Sequence, residues 1–168
     1  PHLLFCGHTD TVPLNSGDPG FGLSGDIRDG RLLGRGSVDM KSAVAAMAGA
    51  QLRVVPLHAP AYEFDVAELA AAINPRTRLL LLNSPHNPTG AVLSRETLKR
   101  LIARARKHGA LILADECYSE IWLGQTPPAG ALEAAGENFA SVVSFNSLSK
   151  RSSLPGLRLG FCAGDPHF

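Results

Sequence analysis

Short apolar runs alternate with stretches of helical periodicity along the chain, most clearly beyond residue 50. Apolar positions spaced three and four apart predict helices at residues 65–73 and 95–108. Continuous apolar runs predict short strands at residues 52–57, 78–83, 110–114, 141–145 and 158–163, the last three of them buried. Strands that alternate with helices in this way are typical of a layered α/β fold.

Local signals predict where both helices begin or end. In the second helix, Ser94 can cap the start and Gly109 can end it. In the first helix, Asp65 and Glu68 have the spacing of a capping box. The predicted buried face of the second helix consists of Leu98, Leu101, Ile102 and Ala105.

The first fifty residues have a pattern of their own. Residues 2–6 predict an apolar strand, and residues 26–33 predict a hairpin because Asp29-Gly30 favours the positive φ of a tight turn. Residues 42–50 are alanine-rich and predict a helix. Within this helix, near Ala48, we expect a junction between two parts of the chain.

Composition narrows the range of functions. With 168 residues, 45% hydrophobic and 18% charged, the chain can form one globular domain with a real core. The formal net charge is +1, and the basic residues between 100 and 107 predict a solvated helix face. We therefore expect neither a nucleic-acid partner nor a membrane partner.

Cysteine content and the chain ends give three further expectations. Cys6, Cys117 and Cys162 lack metal-type spacing, which favours buried, reduced thiols in a cytoplasmic protein. No apolar run approaches the ~20 residues of a membrane-spanning helix. The chain begins at Pro1 and ends at Phe168 just after a predicted strand, so we expect it to be cut at both ends.

Three segments beyond residue 80 carry candidate chemistry. Lys150 lies in Ser147-Leu148-Ser149-Lys150, and Arg158 follows eight positions later, which fits a lysine that bonds to a cofactor aldehyde beside a phosphate clamp. The other two segments are residues 83–90, with Asn-Pro-Thr-Gly, and residues 114–118, with Asp-Glu-Cys-Tyr. Together they resemble the class I aminotransferases of the fold-type I pyridoxal-phosphate enzymes, over residues 50–168.

The resemblance implies a role for each matching residue. Lys150 would be the catalytic residue, bonded to the cofactor and carrying a proton during amino transfer. Asp115 would hold a carboxylate beside the ring nitrogen, because that nitrogen must stay protonated for the ring to accept electrons. Tyr118 and Asn87 would form hydrogen bonds to the phenolic oxygen of the cofactor. The implied cofactor-binding set is Asn87, Asp115, Tyr118, Ser147, Ser149, Lys150 and Arg158.

Simpler interpretations exist for three of these features. Asp115 could simply cap the turn after a strand without binding a ligand, and Arg158 could form a structural salt bridge. Asn87-Pro88-Thr89-Gly90 could be an ordinary turn, since these residue types end strands widely. The turn and cofactor interpretations of this last segment are compatible.

For residues 49–168, the resemblance implies a partial three-layer α/β domain, the large domain of a fold-type I aminotransferase, with a mostly parallel sheet. Its strand order would isolate the strand at 52–57 unless the strand at 3–6 fills the gap. The family's glycine-rich loop, ring-stacking aromatic residue and small domain fall outside the resemblance. We therefore expect weak cofactor affinity and little turnover.

The implied reaction is amino transfer between an amino acid and a 2-oxo acid or aldehyde. Its substrates would be small molecules, and the site would be completed in a homodimer. Residues 115–122 and 147–158 look most like enzymes that aminate N-succinyl-2-amino-6-oxopimelate in lysine and diaminopimelate biosynthesis. This substrate assignment rests on resemblance alone.

Residues 1–48 resemble a different family. Residues 7–13 and 34–41 look like a fragment of the α/β domain of zinc amidohydrolases such as succinyl-diaminopimelate desuccinylase. By this resemblance His8 and Asp39 would be metal ligands, and Asp10 would orient the His8 ring. The adjacent pair of glutamates that such a hydrolase needs is missing from the sequence, so we do not expect bound zinc.

A third alternative is a truncated fusion without catalytic activity, in which surface left bare by missing strands would favour association. Bound pyridoxal phosphate, stoichiometric zinc or neither would separate the three alternatives.

Overall fold

A computed structural model describes residues 2–5, 26–28, 31–33, 51–55 and 65–168. The strands are β1 (His2–Phe5), β2 (Asp26–Arg28), β3 (Arg31–Leu33), β4 (Gln51–Val54), β5 (Thr77–Asn83), β6 (Leu111–Asp115), β7 (Val142–Ser147) and β8 (Gly160–Gly164). The helices are α1 (Val66–Ala72), α2 (Arg95–Lys107), α3 (Ala131–Ala135) and α4 (Leu148–Arg151), followed by a 3-10 turn at Pro155–Leu157.

Six strands form one sheet in the order β4-β1-β5-β6-β7-β8. Every neighbouring pair is parallel except β7 and β8, which are antiparallel. This sheet and its helices confirm the predicted α/β fold with a mostly parallel sheet.

The position of β1 answers the question raised by the strand order. β1 lies between β4 and β5, and Leu3 is in register with Leu52 on one side and Leu79 on the other. The strand at the head of the chain therefore fills the gap that would have isolated β4. In the hairpin predicted at 26–33, β2 and β3 pair antiparallel with Arg28 opposite Arg31. The helix predicted at 42–50 and the junction near Ala48 lie outside the described residues.

The capping signals are confirmed at both long helices. Ser94 Oγ accepts a hydrogen bond from the backbone N–H of Thr97 at 3.1 Å, and Gly109, just past the end of α2, has a φ of 64°. At α1, Asp65 Oδ1 accepts from the N–H groups of Ala67 and Glu68, both at 2.9 Å. Side-chain acceptors satisfy N–H groups that the first turn of a helix leaves unpaired.

The core lies between the sheet and helices α1, α2 and α3. Along β6, Ile112 and Ala114 are buried in it, whereas Leu111 and Leu113 are half-buried. The predicted buried face of α2 is confirmed. Among the residues whose burial is described, the other fully buried large apolar side chains are Leu69, Ile73, Leu80, Leu82, Leu93 and Val142.

Two predictions of burial were wrong at the β8 edge of the sheet. β8 was expected to be a buried strand, but Phe161 is 46% exposed, and Cys162 is an exposed free thiol rather than a buried one. Cys117 was also expected to be buried but is only half-buried. Among the described strands β8 pairs only with β7, so its burial depends on what packs over it, which an apolar run cannot reveal.

Candidate active site

Three parallel strands end at the same edge of the sheet. β5 ends at Asn83, β6 at Asp115 and β7 at Ser147. Asn83 is in register with Asp115, and Asp115 with Phe145. Ligands bind beyond the carboxyl ends of strands in sheets of this kind, so this edge is the candidate ligand site.

Lys150 and Tyr118 meet beyond this edge. Tyr118 lies in the turn after β6, and Lys150 lies in α4, which begins directly after β7. Lys150 Nζ is positioned over the Tyr118 ring, 5.5 Å from its centroid. An ammonium group at this distance is attracted by the ring face. The sheet therefore brings a lysine and a phenol from separate strands into contact.

Ser147 and Ser149 lie at the start of α4. Ser147 Oγ caps this short helix by accepting from the backbone N–H of Ser149 at 3.1 Å. Both serines are half-buried. Their hydroxyl hydrogens can be donated to an anion at this end of the sheet, because a hydroxyl that accepts one hydrogen bond can still donate another.

Arg158 follows the 3-10 turn in a left-handed conformation, with a φ of 50°. Its Nη1 donates to the carbonyl of Pro155 at 3.2 Å, and the residue is exposed. Within the described part of the chain Arg158 has no ion pair, so nothing there supports the structural salt bridge considered above. Its guanidinium has five N–H bonds, and several can reach an anion.

Asn83 connects the loop that carries Asn87 to the end of β6. Asn83 Oδ1 accepts from the backbone N–H of Asn87 at 3.0 Å, and its Nδ2 donates to the carbonyl of Asp115 at 3.1 Å. The side chain is 2% exposed. Asn83 was not predicted as a site residue, although a lone amide at the end of an apolar run is a signal that could have identified it.

The loop from Ser84 to Leu93 is held by its own hydrogen bonds. Ser84 Oγ accepts from the N–H of Leu93 at 2.9 Å, and the His86 and Thr89 side chains lie 2.8 Å apart, Nδ1 to Oγ1. The Ser84-Pro85 and Asn87-Pro88 peptide bonds are cis, and Gly90 has a φ of 75°. The predicted turn is thus present, and Asn87 is half-buried within it.

Asp115 has both a local contact and a position at the site. Its Oδ1 accepts from the backbone N–H of Cys117 at 3.2 Å, which is the turn-capping interaction considered above. The residue is half-buried at the end of β6. A carboxylate has about four lone-pair positions, so this hydrogen bond leaves room for a ligand.

Glu116 is a buried carboxyl group directly behind the site. Its Oε1 accepts from the backbone N–H of Ala131, and its Oε2 accepts from Ser144 Oγ, both at 2.5 Å. Burial raises the pKa of this carboxyl above its ordinary 4.5, against the lowering effect of the two hydrogen bonds. Glu116 was not predicted, because its partners are 15 and 28 residues away in sequence.

The predicted metal site stays a prediction. His8, Asp10 and Asp39 all lie outside the described residues. Among the residues that are described, no group of three or more histidine, cysteine, aspartate or glutamate side chains could hold a metal ion. The same part of the chain contains no helix long and apolar enough to cross a membrane.

The α/β fold with its mostly parallel sheet is that of a fold-type I enzyme domain. The family model described as aminotransferase class I and II matches residues 39–168, so the chain belongs to this family. Its members are pyridoxal-phosphate enzymes. A second family model, for peptidase family M20/M25/M40, matches residues 4–67 and overlaps the first. Both resemblances seen in the sequence are thereby confirmed.

Individual proteins agree with the family assignment. The aspartate aminotransferase of Geobacillus stearothermophilus is 37% identical over 103 residues, which are 61% of this chain and 26% of that enzyme. The N-succinyldiaminopimelate aminotransferase of Mycobacterium tuberculosis is 33% identical, with a TM-score of 0.68 over 76% of this chain and 33% of that structure.

A third protein extends the fold match to almost the whole chain. YbdL of Escherichia coli, reported with a methionine aminotransferase function, has a TM-score of 0.72 over 98% of this chain and 36% of its own. Its identity of 22% establishes the fold alone. In these three comparisons the match spans between 26% and 36% of the other protein's length.

Proposed function

We propose that this chain binds pyridoxal phosphate covalently through Lys150 and belongs to an enzyme that transfers amino groups. The observation that carries the proposal is the contact of Lys150 Nζ with the Tyr118 ring at the sheet edge where Asp115 ends β6. A lysine, a phenol and a carboxylate from consecutive parallel strands are the groups that an aldehyde-bearing pyridinium ring requires.

The residues present fit this cofactor chemically. The proposed phosphate partners, Ser147, Ser149 and Arg158, are all hydrogen-bond donors and adjoin Lys150 in α4 or follow the 3-10 turn. The proposed ring partner Asp115 is an acceptor at the end of the neighbouring strand. Donors for an anion and an acceptor for a protonated ring nitrogen thus come from different strands. When bound, the cofactor supplies an electron sink for the substrate's α-carbon.

Each side chain has a distinct part in the proposal. Lys150 Nζ holds the cofactor and later accepts and returns the proton of the α-carbon. The Asp115 carboxylate keeps the ring nitrogen protonated, and Tyr118 Oη with Asn87 Nδ2 donates to the phenolic oxygen. Asn83 holds the backbones of Asn87 and Asp115 in fixed relation, so the two ligands stay in register.

The proposed substrate is an acylated amino-oxopimelate, with an amino acid as the donor. Two comparisons support this choice: the Mycobacterium tuberculosis structure is an N-succinyldiaminopimelate aminotransferase, and an LL-diaminopimelate aminotransferase of Desulforudis audaxviator is 38% identical over 101 residues. Other relatives of similar identity act on other amino acids by name, such as aspartate. Substrate choice therefore needs its own assay with purified succinylated and unsubstituted candidates.

Cofactor titration tests the proposal. Pyridoxal phosphate added to the purified chain should produce a new visible absorption band. Borohydride reduction should then fix a pyridoxyl group on the peptide that contains Lys150, identified by mass spectrometry. Lys150→Ala should abolish both signals, whereas Lys99→Ala, which removes an exposed lysine of α2, should leave both unchanged. Labelling that persists in Lys150→Ala would refute the proposal.

The other two functions give different results in the same preparation. A zinc-dependent amidohydrolase fragment, favoured by the peptidase-family match at residues 4–67, would bind stoichiometric zinc through His8 and Asp39. A fusion without catalytic activity would bind neither zinc nor the cofactor. Size-exclusion chromatography with and without cofactor tests the expected homodimer.

A further inference from the structure

Arg151, next to the proposed cofactor lysine, contacts two other parts of the fold. Its Nε lies 3.4 Å from Glu120 Oε1, in the turn after β6. Its guanidinium carbon lies 5.9 Å from the centroid of the Phe161 ring on β8. We call Glu120, Arg151 and Phe161 the Arg151 cluster. The cluster joins α4 to the turn after β6 on one side and to β8 on the other.

The two contacts between α4 and this turn occur in tandem. Lys150 reaches Tyr118, and its neighbour Arg151 reaches Glu120, two residues further along the same turn. α4 has only four residues, about one turn, and such a short helix has little stability of its own. Backbone bonding from Leu148 N–H to the Leu159 carbonyl, at 3.1 Å, holds its first residue. Side-chain contacts hold its last residues.

We propose that Arg151 is a positioning residue, which holds α4 so that Lys150 Nζ stays over the Tyr118 ring. The inference rests on the proposed function, because it assigns Arg151 a role in that same site. Its competitor is a direct contact between Arg151 and the cofactor phosphate, since an arginine so close to an anion site could bind the anion itself.

Removal of the Glu120 carboxylate distinguishes these two roles, because each role predicts an opposite change in cofactor affinity. If Arg151 positions α4, loss of the Glu120 carboxylate loosens the helix and weakens cofactor binding. If Arg151 binds the phosphate directly, loss of that carboxylate removes a competing negative charge and strengthens binding of the anionic cofactor. Glu120→Gln keeps the side-chain shape while removing the charge, so it isolates this effect.

Cofactor affinity is measured by absorbance titration for Arg151→Ala, Glu120→Gln and the double variant. An exposed ion pair and an exposed cation–aromatic contact are both weak, so we expect Arg151→Ala to weaken binding about fivefold and Glu120→Gln about threefold. The double variant should weaken binding about as much as Arg151→Ala alone, because both changes remove one shared contact. Tighter binding in Glu120→Gln would overturn the proposal.

Arg95→Ala is the matched control. Arg95 pairs with Glu133 between α2 and α3, and both pairs are about half exposed, at 58% and 50% against 48% and 53%. Its loss should leave cofactor affinity within about twofold. Arg151→Lys retains the positive charge over Phe161 and should recover part of the affinity.

Hydrogen exchange of the cofactor-free chain supplies a readout that does not depend on the proposed function. Amides of residues 148–154 should exchange about fivefold faster in Arg151→Ala than in the wild type, and their exchange rates should be unchanged in Arg95→Ala. If the wild type fails to bind cofactor, the proposed function fails while this exchange still tests the positioning of α4. If the wild type binds but exchange in this segment is unaltered, the positioning role is refuted.

Discussion

Replacement of Glu116 gives the sharpest test of how the site is supported from behind. Glu116 is 9% exposed, and its partners Ala131 and Ser144 are 1% and 4% exposed, so water cannot readily replace the carboxylate. Glu116→Ala would strip the backbone N–H of Ala131 and the hydroxyl of Ser144 of their acceptor. A buried donor left unpaired costs about 1–3 kcal/mol, and the hydroxyl can rotate in search of another acceptor. We expect a loss of about 2–4 kcal/mol in the free energy of unfolding.

Glu116→Gln is the matched control for shape. The glutamine Oε1 can accept from Ala131 N–H, and its Nε2 can donate to Ser144 Oγ after that hydroxyl rotates. Both buried groups then keep a hydrogen bond to the side chain at position 116, so the loss should be smaller than in Glu116→Ala, about 1 kcal/mol. Urea unfolding at a fixed pH measures all three proteins.

The pH dependence adds a second criterion. Burial raises the pKa of Glu116 above 4.5, so the folded protein binds this proton more tightly than the unfolded chain does. The stabilisation that results is full below about pH 4.5 and is lost as pH rises through the folded pKa. Relative to Glu116→Gln, the wild type should therefore lose stability as pH increases from 4.5 upward. Equal losses for alanine and glutamine, or a difference independent of pH, would refute this account.

Two further predictions concern the pairing of β7 with β8. Gly164→Ala should lower the free energy of unfolding by about 2–5 kcal/mol, because its Cβ would lie 2.1 Å from the Val142 carbonyl oxygen and the φ of this residue is 152°. Gly156→Ala is the control: a Cβ at Gly156 would meet nothing within 4 Å, so the free energy of unfolding should change by less than about 0.5 kcal/mol. Equal effects in urea unfolding would show that this close approach is not real. Asp165 accepts from the backbone N–H of Ser141 at 2.6 Å, which lowers its pKa below 3.8, so its stabilisation is present above pH 3.8 and is lost as pH falls through the folded pKa. Asp165→Asn should reduce the melting temperature at neutral pH and abolish this part of the acid dependence, and an unchanged acid profile would contradict the assignment.

Features fixed by local chemistry could be predicted closely from the sequence. The helix at 95–108 was found at 95–107, because Ser94 and Gly109 act within one turn of it. Strand ends were less exact: the strand expected at 141–145 is found at 142–147, since its last residues pair with β8 across the chain. Pairing of this kind leaves little trace in an apolar run.

The candidate site also contains some features that the local sequence predicts and others that depend on residues distant in the chain. The convergence of Asp115, Tyr118 and Lys150 could be expected, because parallel strands present their carboxyl ends at one edge. The supporting roles of Asn83 and Glu116 could not, because each depends on a partner distant in sequence that only the folded sheet brings near. The proposed cofactor ligands can thus be recognised from sequence motifs, whereas the groups that support them can be recognised only in the folded structure.

The location of β1 shows that the boundaries of the two family matches do not coincide with the boundaries of the hydrogen-bonded sheet. The peptidase-family match begins within β1, while the sheet that β1 completes continues through the aminotransferase-family match. Deletion of residues 1–5 would consequently leave a gap about 10 Å wide between β4 and β5, and the backbone groups of both strands that now bond to β1 would lose their partners. A strand within the peptidase-family match therefore joins β4 to the rest of the sheet.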